Sequence, residues 1–148
     1  MTKEVMISIQ GFQFAEENES DNVELITAGE YYYKNGKHYI LYDEVDEESG
    51  RVTKNRVKFQ QDYLELTKKG PAESHMIFEK NKKNVTYYHT PFGSLLVGVD
   101  ASSVDIEESE ELIKVHAIYD LDANYEHVAQ CEITICVRPK GSRPTLVS

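Results

Sequence analysis

Long apolar runs are missing from this sequence. No segment comes near the roughly 20 apolar residues that a membrane-crossing helix needs. The opening stretch from Met1 to Ile9 has neither an extended apolar core nor a small-residue cleavage site. No signal peptide and a cytoplasmic address are therefore expected. Positive charge is scarce as well: 16 Lys and Arg stand against 26 Asp and Glu, for a net charge of −10. That balance argues against a general nucleic-acid binder and against a protein that lies on anionic membranes. Tryptophan is absent, and the aromatic content is ten Tyr and five Phe. Tyrosine couples an apolar ring to a polar tip, which suits half-buried strand positions.

Cysteine occurs only at Cys131 and Cys136. Both fall in one predicted strand, and their odd spacing puts them on opposite faces. At a rise of about 3.3 Å per residue they stand roughly 16 Å apart, whereas a disulfide needs α-carbons within about 7 Å. An intramolecular bridge is excluded on that reading, and Cys131 is expected to face inward.

The motifs of the common catalytic classes are missing too. The eight glycines form neither a GxGxxG nor a phosphate loop, and there is no CxxC or HExxH. Serine and histidine occur without a nucleophile elbow. His38, His75, His89, His116 and His127 stand singly on different predicted strands or turns, without ligand spacing. The acidic run from Asp43 to Gly50 carries Glu48 at the sixth place, where a calcium-binding EF-hand loop requires Gly. No catalytic residue, metal site or cofactor is assigned, and an enzyme is not expected.

What the chain does contain is alternation. Its 148 residues, 40% hydrophobic, suffice for one domain with one core. Apolar residues recur with period two, interrupted by turn signals every dozen residues or so. Ten strands are predicted, near residues 3–14, 22–34, 37–45, 51–60, 63–69, 73–80, 84–90, 94–105, 111–121 and 127–138. Asn35-Gly36 tolerates the two positive φ angles of a type I′ hairpin turn. Thr90-Pro91-Phe92-Gly93 suits a type I turn. Ile113, Val115, Ala117, Tyr119 and Leu121 share one face of the ninth strand. Ala129, Cys131, Ile133, Ile135 and Val137 share one face of the tenth. Strands buried on one face belong to barrels and sandwiches. The acidic runs Glu16 to Asp21 and Asp105 to Glu111 read as solvated loops. The barrel domain is placed at 1–138. The basic, Pro-containing tail at 139–148 is expected to leave it and to be disordered.

Charge is uneven along the chain. Residues 51–83 hold nine Lys and Arg against four Asp and Glu, within an otherwise acidic protein. They form either a basic patch or a set of strands that compensates its neighbours. Phe59 beside Arg56 and Lys58 invites comparison with base-stacking proteins, but Phe59 and Lys58 face opposite ways in a strand.

One constellation points to a site. Ile40, Tyr42 and Glu44 alternate onto one face of the third strand. Val57 and Phe59 continue a face of the fourth that also holds Thr53 and Asn55. Polar groups on a core-facing row mean either a wet cavity or a satisfied structural network. Tyr42, Glu44 and Asn55 are the candidate ligand-binding residues.

Several segments also carry a resemblance. They are Glu4 to Gly11 (EVMISIQG), Glu24 to Tyr32 (ELITAGEYY) followed by Gly36 to Tyr42 (GKHYILY), Met76 to Glu79 (MIFE) leading to Thr90 to Gly93 (TPFG), and Tyr119-Asp120-Leu121 before the closing strand. In this order they make residues 4–138 resemble the YwiB-like family, small bacterial proteins that carry a domain of unknown function with a calycin-like β-barrel. The acidic inserts and the basic tail depart from that pattern. The resemblance implies an all-β fold, a single antiparallel, calycin- or lipocalin-like barrel of about 8–10 strands, and an interior cavity. It brings no catalytic residues. Two functions follow as expectations: a barrel that binds a small amphipathic molecule, or a filled barrel that serves as a protein-interaction or structural module with no ligand.

Thiol titration of the denatured, unreduced protein is expected to find two reactive groups per chain. Finding none in purified monomer would overturn the placement of both cysteines on one strand.

Overall fold

The computed structural model describes residues 3–14 and 21–141. Ten strands follow one another: β1 Glu4–Phe14, β2 Asp21–Lys34, β3 Lys37–Val45, β4 Val52–Gln60, β5 Tyr63–Lys69, β6 Ser74–Glu79, β7 Lys82–Thr90, β8 Gly93–Glu108, β9 Ile113–Ala123 and β10 Glu126–Pro139. No helix occurs among the described residues. Each strand pairs antiparallel with the next, and β10 returns to pair with β1, so the sheet closes into an up-and-down barrel.

Alternation decides which side chains enter the barrel. Ile113, Val115 and Ala117 of β9 and Ile135 and Val137 of β10 are at most 1% exposed. Cys131 is buried, Cys136 lies on the opposite face half-buried, and both are free thiols. The tightest packing lies in the half of the barrel nearest the Asn35-Gly36 turn, hereafter the lower half. Phe59, Phe78, Ile7, Ile40, Leu64, Ile113 and Ile135 all lose essentially all contact with water there. Gly29 of β2 serves this packing through close approach. A β-carbon added to it would sit 2.7 Å from the Leu41 carbonyl oxygen and 2.5 Å from the Ile7 side chain.

Two boundaries differ from the sequence expectation. β8 does not give way to a loop at Asp105 but continues to Glu108, with Ile106 opposite Val115 and Glu108 opposite Ile113. The cause is the same alternation: Val104 is buried and Ile106 half-buried on the inner face, while Asp105 and Glu107 point to water. At the other end, β10 runs on through Pro139, which pairs with Val5, and the Lys140 N–H donates to the Glu4 carbonyl at 2.9 Å. The remainder of the expected tail, 142–148, lies outside the described residues, as do residues 16–20 of the first acidic run.

The wall is not uniform. Between β6 and β7 the ladder holds one pair, Glu79 with Lys82, and a bridge between Glu73 and His89. Side chains span the gap between those points. The Thr86 hydroxyl donates to the His75 carbonyl, and the Asn84 amide donates to the Ile77 carbonyl at 3.4 Å. The two strands therefore part on the outer surface and form a seam.

Asn35 and Gly36 have φ values of 54° and 76°, as a type I′ turn requires. Gly36→Val should cost on the order of 1 kcal/mol or more, because a β-branched residue resists positive φ. An unchanged denaturant midpoint would show that the turn does not set the β2–β3 register.

Candidate functional site

Tyr42 of β3, Asn55 of β4 and Lys68 of β5 are direct neighbours across the sheet, because the register pairs Tyr42 with Asn55 and Asn55 with Lys68. All three lie on the inner face in the upper half of the barrel, with Glu44 one step above Tyr42. The structure thus brings together all three residues singled out in the sequence. The Asn55 amide nitrogen donates to Glu44 Oε1 at 2.9 Å and to the Thr53 carbonyl at 3.3 Å. Lys68 Nζ donates to the same Glu44 oxygen at 3.0 Å. Turning the Asn55 amide over would set its oxygen against the Glu44 carboxylate, so the hydrogen bonds fix its orientation. Burial, and secondarily the Glu44 charge, push the Tyr42 phenol up to about 12, so it is a neutral hydroxyl at any physiological pH.

These groups border a cavity of about 270 Å³. Its walls are mainly apolar, with Ile9, Leu25, Val57, Leu66 and Ile133 lining it. The volume is just below the ~300 Å³ at which small-molecule pockets usually begin. Asn55 is 5% exposed, and its carbonyl oxygen, Oδ1, has no hydrogen-bond partner. An acceptor buried without a partner costs roughly 1–3 kcal/mol. Chemically, the arrangement offers acceptors at Asn55 and Glu44 and a phenol at Tyr42, next to an apolar wall. It can orient a polar head. Among the described residues no group of three or more His, Cys, Asp or Glu is placed to hold a metal ion.

A second polar cluster escaped the sequence reading. Glu65 of β5 faces outward, yet it is only 7% exposed. The Tyr63 hydroxyl donates to Glu65 Oε1 at 2.6 Å, His75 of β6 bonds Oε2, and the Arg56 guanidinium of β4 stands 3.7 Å from Oε2. Burial by itself would raise the Glu65 carboxyl. The hydrogen bonds from Tyr63 and His75, with the nearby charges of His75 and Lys58, outweigh it and hold the group below its ordinary value. Nor are the histidines isolated. His116 meets Glu132, His127 meets Asp120 at 3.2 Å, and His38 lies 3.7 Å from Glu108. His38 is buried, accepts or donates a hydrogen bond with the Tyr31 hydroxyl at 2.7 Å, and stacks on Phe59. Burial lowers its basicity against the opposing pull of Glu108. Phe59, fully buried under that ring, is closed to any nucleic-acid base.

Replacing Glu65 by Gln should destabilise the protein by about 1–2 kcal/mol at pH 7, since it removes the charge from two short hydrogen bonds. The depressed carboxyl contributes stability above its unfolded value of about 4.3 and loses it as the pH falls through the lower folded value. The gap between wild type and variant should therefore shrink in unfolding curves recorded below about pH 4. A gap that is constant from pH 7 to pH 3 would show that the Glu65 charge does not hold the cluster.

Comparison with known proteins agrees with this architecture. The crystal structure of the YwiB protein from Bacillus subtilis superposes with a TM-score of 0.80 at 20% identity, over 93% of this chain and 92% of that one. At that identity the likeness shows the fold alone. The curated sequence of the same organism, described as an uncharacterized beta-barrel protein, is 26% identical over 114 residues, which is 76% of this chain and 79% of its relative. The model of one family, described as Domain of unknown function (DUF1934), matches residues 7–135. A match spanning nearly the whole barrel, from β1 into β10, places the chain in the DUF1934 family.

Proposed function

We propose that this barrel binds a small amphipathic molecule in its upper cavity and acts by binding, without chemistry on its ligand. The observation that carries the reading is Asn55 Oδ1, an acceptor buried and unpartnered at the edge of an apolar-walled space. A ligand hydroxyl, amine or amide N–H would remove that cost. Glu44 Oε1 already receives Asn55 and Lys68, so the remaining capacity of its carboxylate also favours a donor on the ligand. The polar end of the ligand is therefore a hydrogen-bond donor, and its body is apolar. Burial of that body supplies about 25 cal/mol per Å². The free thiols of Cys131 and Cys136 suit the reducing cytoplasm as the place of work.

One observation favours a protein-interaction module instead. Phe92 and Tyr125, in the β7–β8 and β9–β10 turns at the upper end, are 99% and 80% exposed. Native mass spectrometry of protein purified from its own host separates the two readings. Wild type is expected to carry a small molecule. Asn55→Leu is expected to lose it; the variant removes the orphaned acceptor together with the two hydrogen bonds that the Asn55 amide donates, and its melting curve checks that it remains folded. No retained mass, and no thermal shift across a panel of apolar amines and alcohols, would overturn the ligand reading and leave the interaction module.

A further inference from the structure

Residues on both sides of the parted β6–β7 seam line a groove of about 500 Å³. The groove and the upper cavity share Arg56, Thr67 and Lys68 in the wall between them. We propose that this groove binds a phosphorylated small molecule that carries a planar ring.

The donors come first. Register pairs Arg56 with Thr67 and Thr67 with His75, so a guanidinium, a hydroxyl and an imidazole form one row across β4, β5 and β6 on the outer face. Adjacent strands lie about 4.8 Å apart, which puts the two ends of the row about 10 Å apart. The hydroxyl in the middle, Thr67 Oγ1, is buried and has no partner. Arg56 touches Glu65 at 3.7 Å, beyond hydrogen-bond length, and keeps its N–H groups for another acceptor. His75 bonds Glu65 through Nε2, so its Nδ1 donates to a ligand only from the doubly protonated ring and accepts otherwise. In an extended strand the N–H and C=O of a residue point the same way. The His75 carbonyl is reached from β7, so its N–H also faces the gap.

Charge agrees with the donors. Arg56, Lys68 and Lys69 line the groove against two carboxylates. Glu65 already accepts one hydrogen bond on each oxygen, from Tyr63 and from His75. Glu73 lies at the far end, where the backbone bridges to His89. Lys68 is engaged by Glu44, whereas Lys69 has no carboxylate partner among the described residues. A tetrahedral phosphate can accept from the guanidinium, ammonium and hydroxyl that line this groove.

The opposite bank supplies the ring. Tyr87 and His89 of β7 stand nearly parallel, 5.8 Å between centroids and 14° between planes, and Tyr87 is 60% exposed. A planar heterocycle can lie on such a platform while its phosphate reaches the row of donors.

The test is titration of the full chain with adenosine 5′-monophosphate, adenosine, inorganic phosphate and sulfate, followed by backbone amide NMR shifts. The monophosphate is expected to bind about 10-fold more tightly than adenosine or phosphate alone, with shifts centred on Thr67, His75 and Tyr87. Thr67→Val, of nearly the same shape, should weaken it about 10-fold at an unchanged melting temperature. Tyr87→Ala should weaken the nucleotide and leave phosphate unaffected. Asn55→Leu, in the upper cavity, should change neither. No shift at those amides at millimolar ligand would overturn the proposal. So would equal responses to sulfate and to the monophosphate, or a Thr67→Val variant that binds as wild type does.

Discussion

Ten successive residue pairs between the first and last strands, from Val5–Pro139 to Phe14–Gln130, turn a meandering ribbon into a closed wall. Everything inside depends on that closure. A strand pairs with period two, so a slip of one residue would carry every inward side chain of β1 or β10 to the outer face. Val5, Ile7, Ile135 and Val137 then could not share the core with Ile40 and Phe59. Closure also abolishes the free edges that an open ten-stranded sheet would expose to other chains.

A closed wall of this size encloses more room than its own side chains fill. Barrels of about eight strands are just filled by their side chains, and wider ones leave space. Here the lower half is filled by large residues such as Phe59 and Phe78. The upper half has Gly11, Leu25 and a polar row in the corresponding positions, and there the cavity remains. The same inner face thus differs along its length: a filled core below and a cavity edged by polar groups above. The outer face is divided in a similar way. It mixes charged side chains with exposed apolar ones such as Ile26, Leu41 and Tyr87, and around Glu65 it has a buried polar cluster beside the parted β6–β7 seam.

Much of this was legible before any coordinates. All ten strands follow from alternation and turn residues. Asn35-Gly36 announced its turn, and the faces of Cys131 and Cys136 followed from an odd spacing. Tyr42, Glu44 and Asn55 could be grouped because a single hairpin joins β3 to β4, so their opposition needs only local register. Glu65 and His75 could not be grouped in that way. They meet diagonally across the β5–β6 pair, and the cover over Glu65 also needs Arg56 from a third strand. His116 and Glu132 likewise meet diagonally, across a β9–β10 hairpin whose register shifts between His127 and Ala129. The extension of β8 through Asp105 to Glu108 was hidden by composition. Four polar or charged residues in five read as a loop until Ile106 is seen to follow Val104 into the core.

Because the closing partners stand at opposite ends of the chain, a ribosome makes β1 first and β10 last. During synthesis β1 pairs with β2 but keeps its other edge bare, with Val5, Ile7 and Ile9 lacking the wall that will cover them. Such edges are where nascent β-proteins join the wrong neighbour. The segment that must wait longest is also the one richest in negative charge, with 12 Asp and Glu against three Lys in residues 1–50. Like charge of that density works against the pairing of two such segments before either sheet is shut.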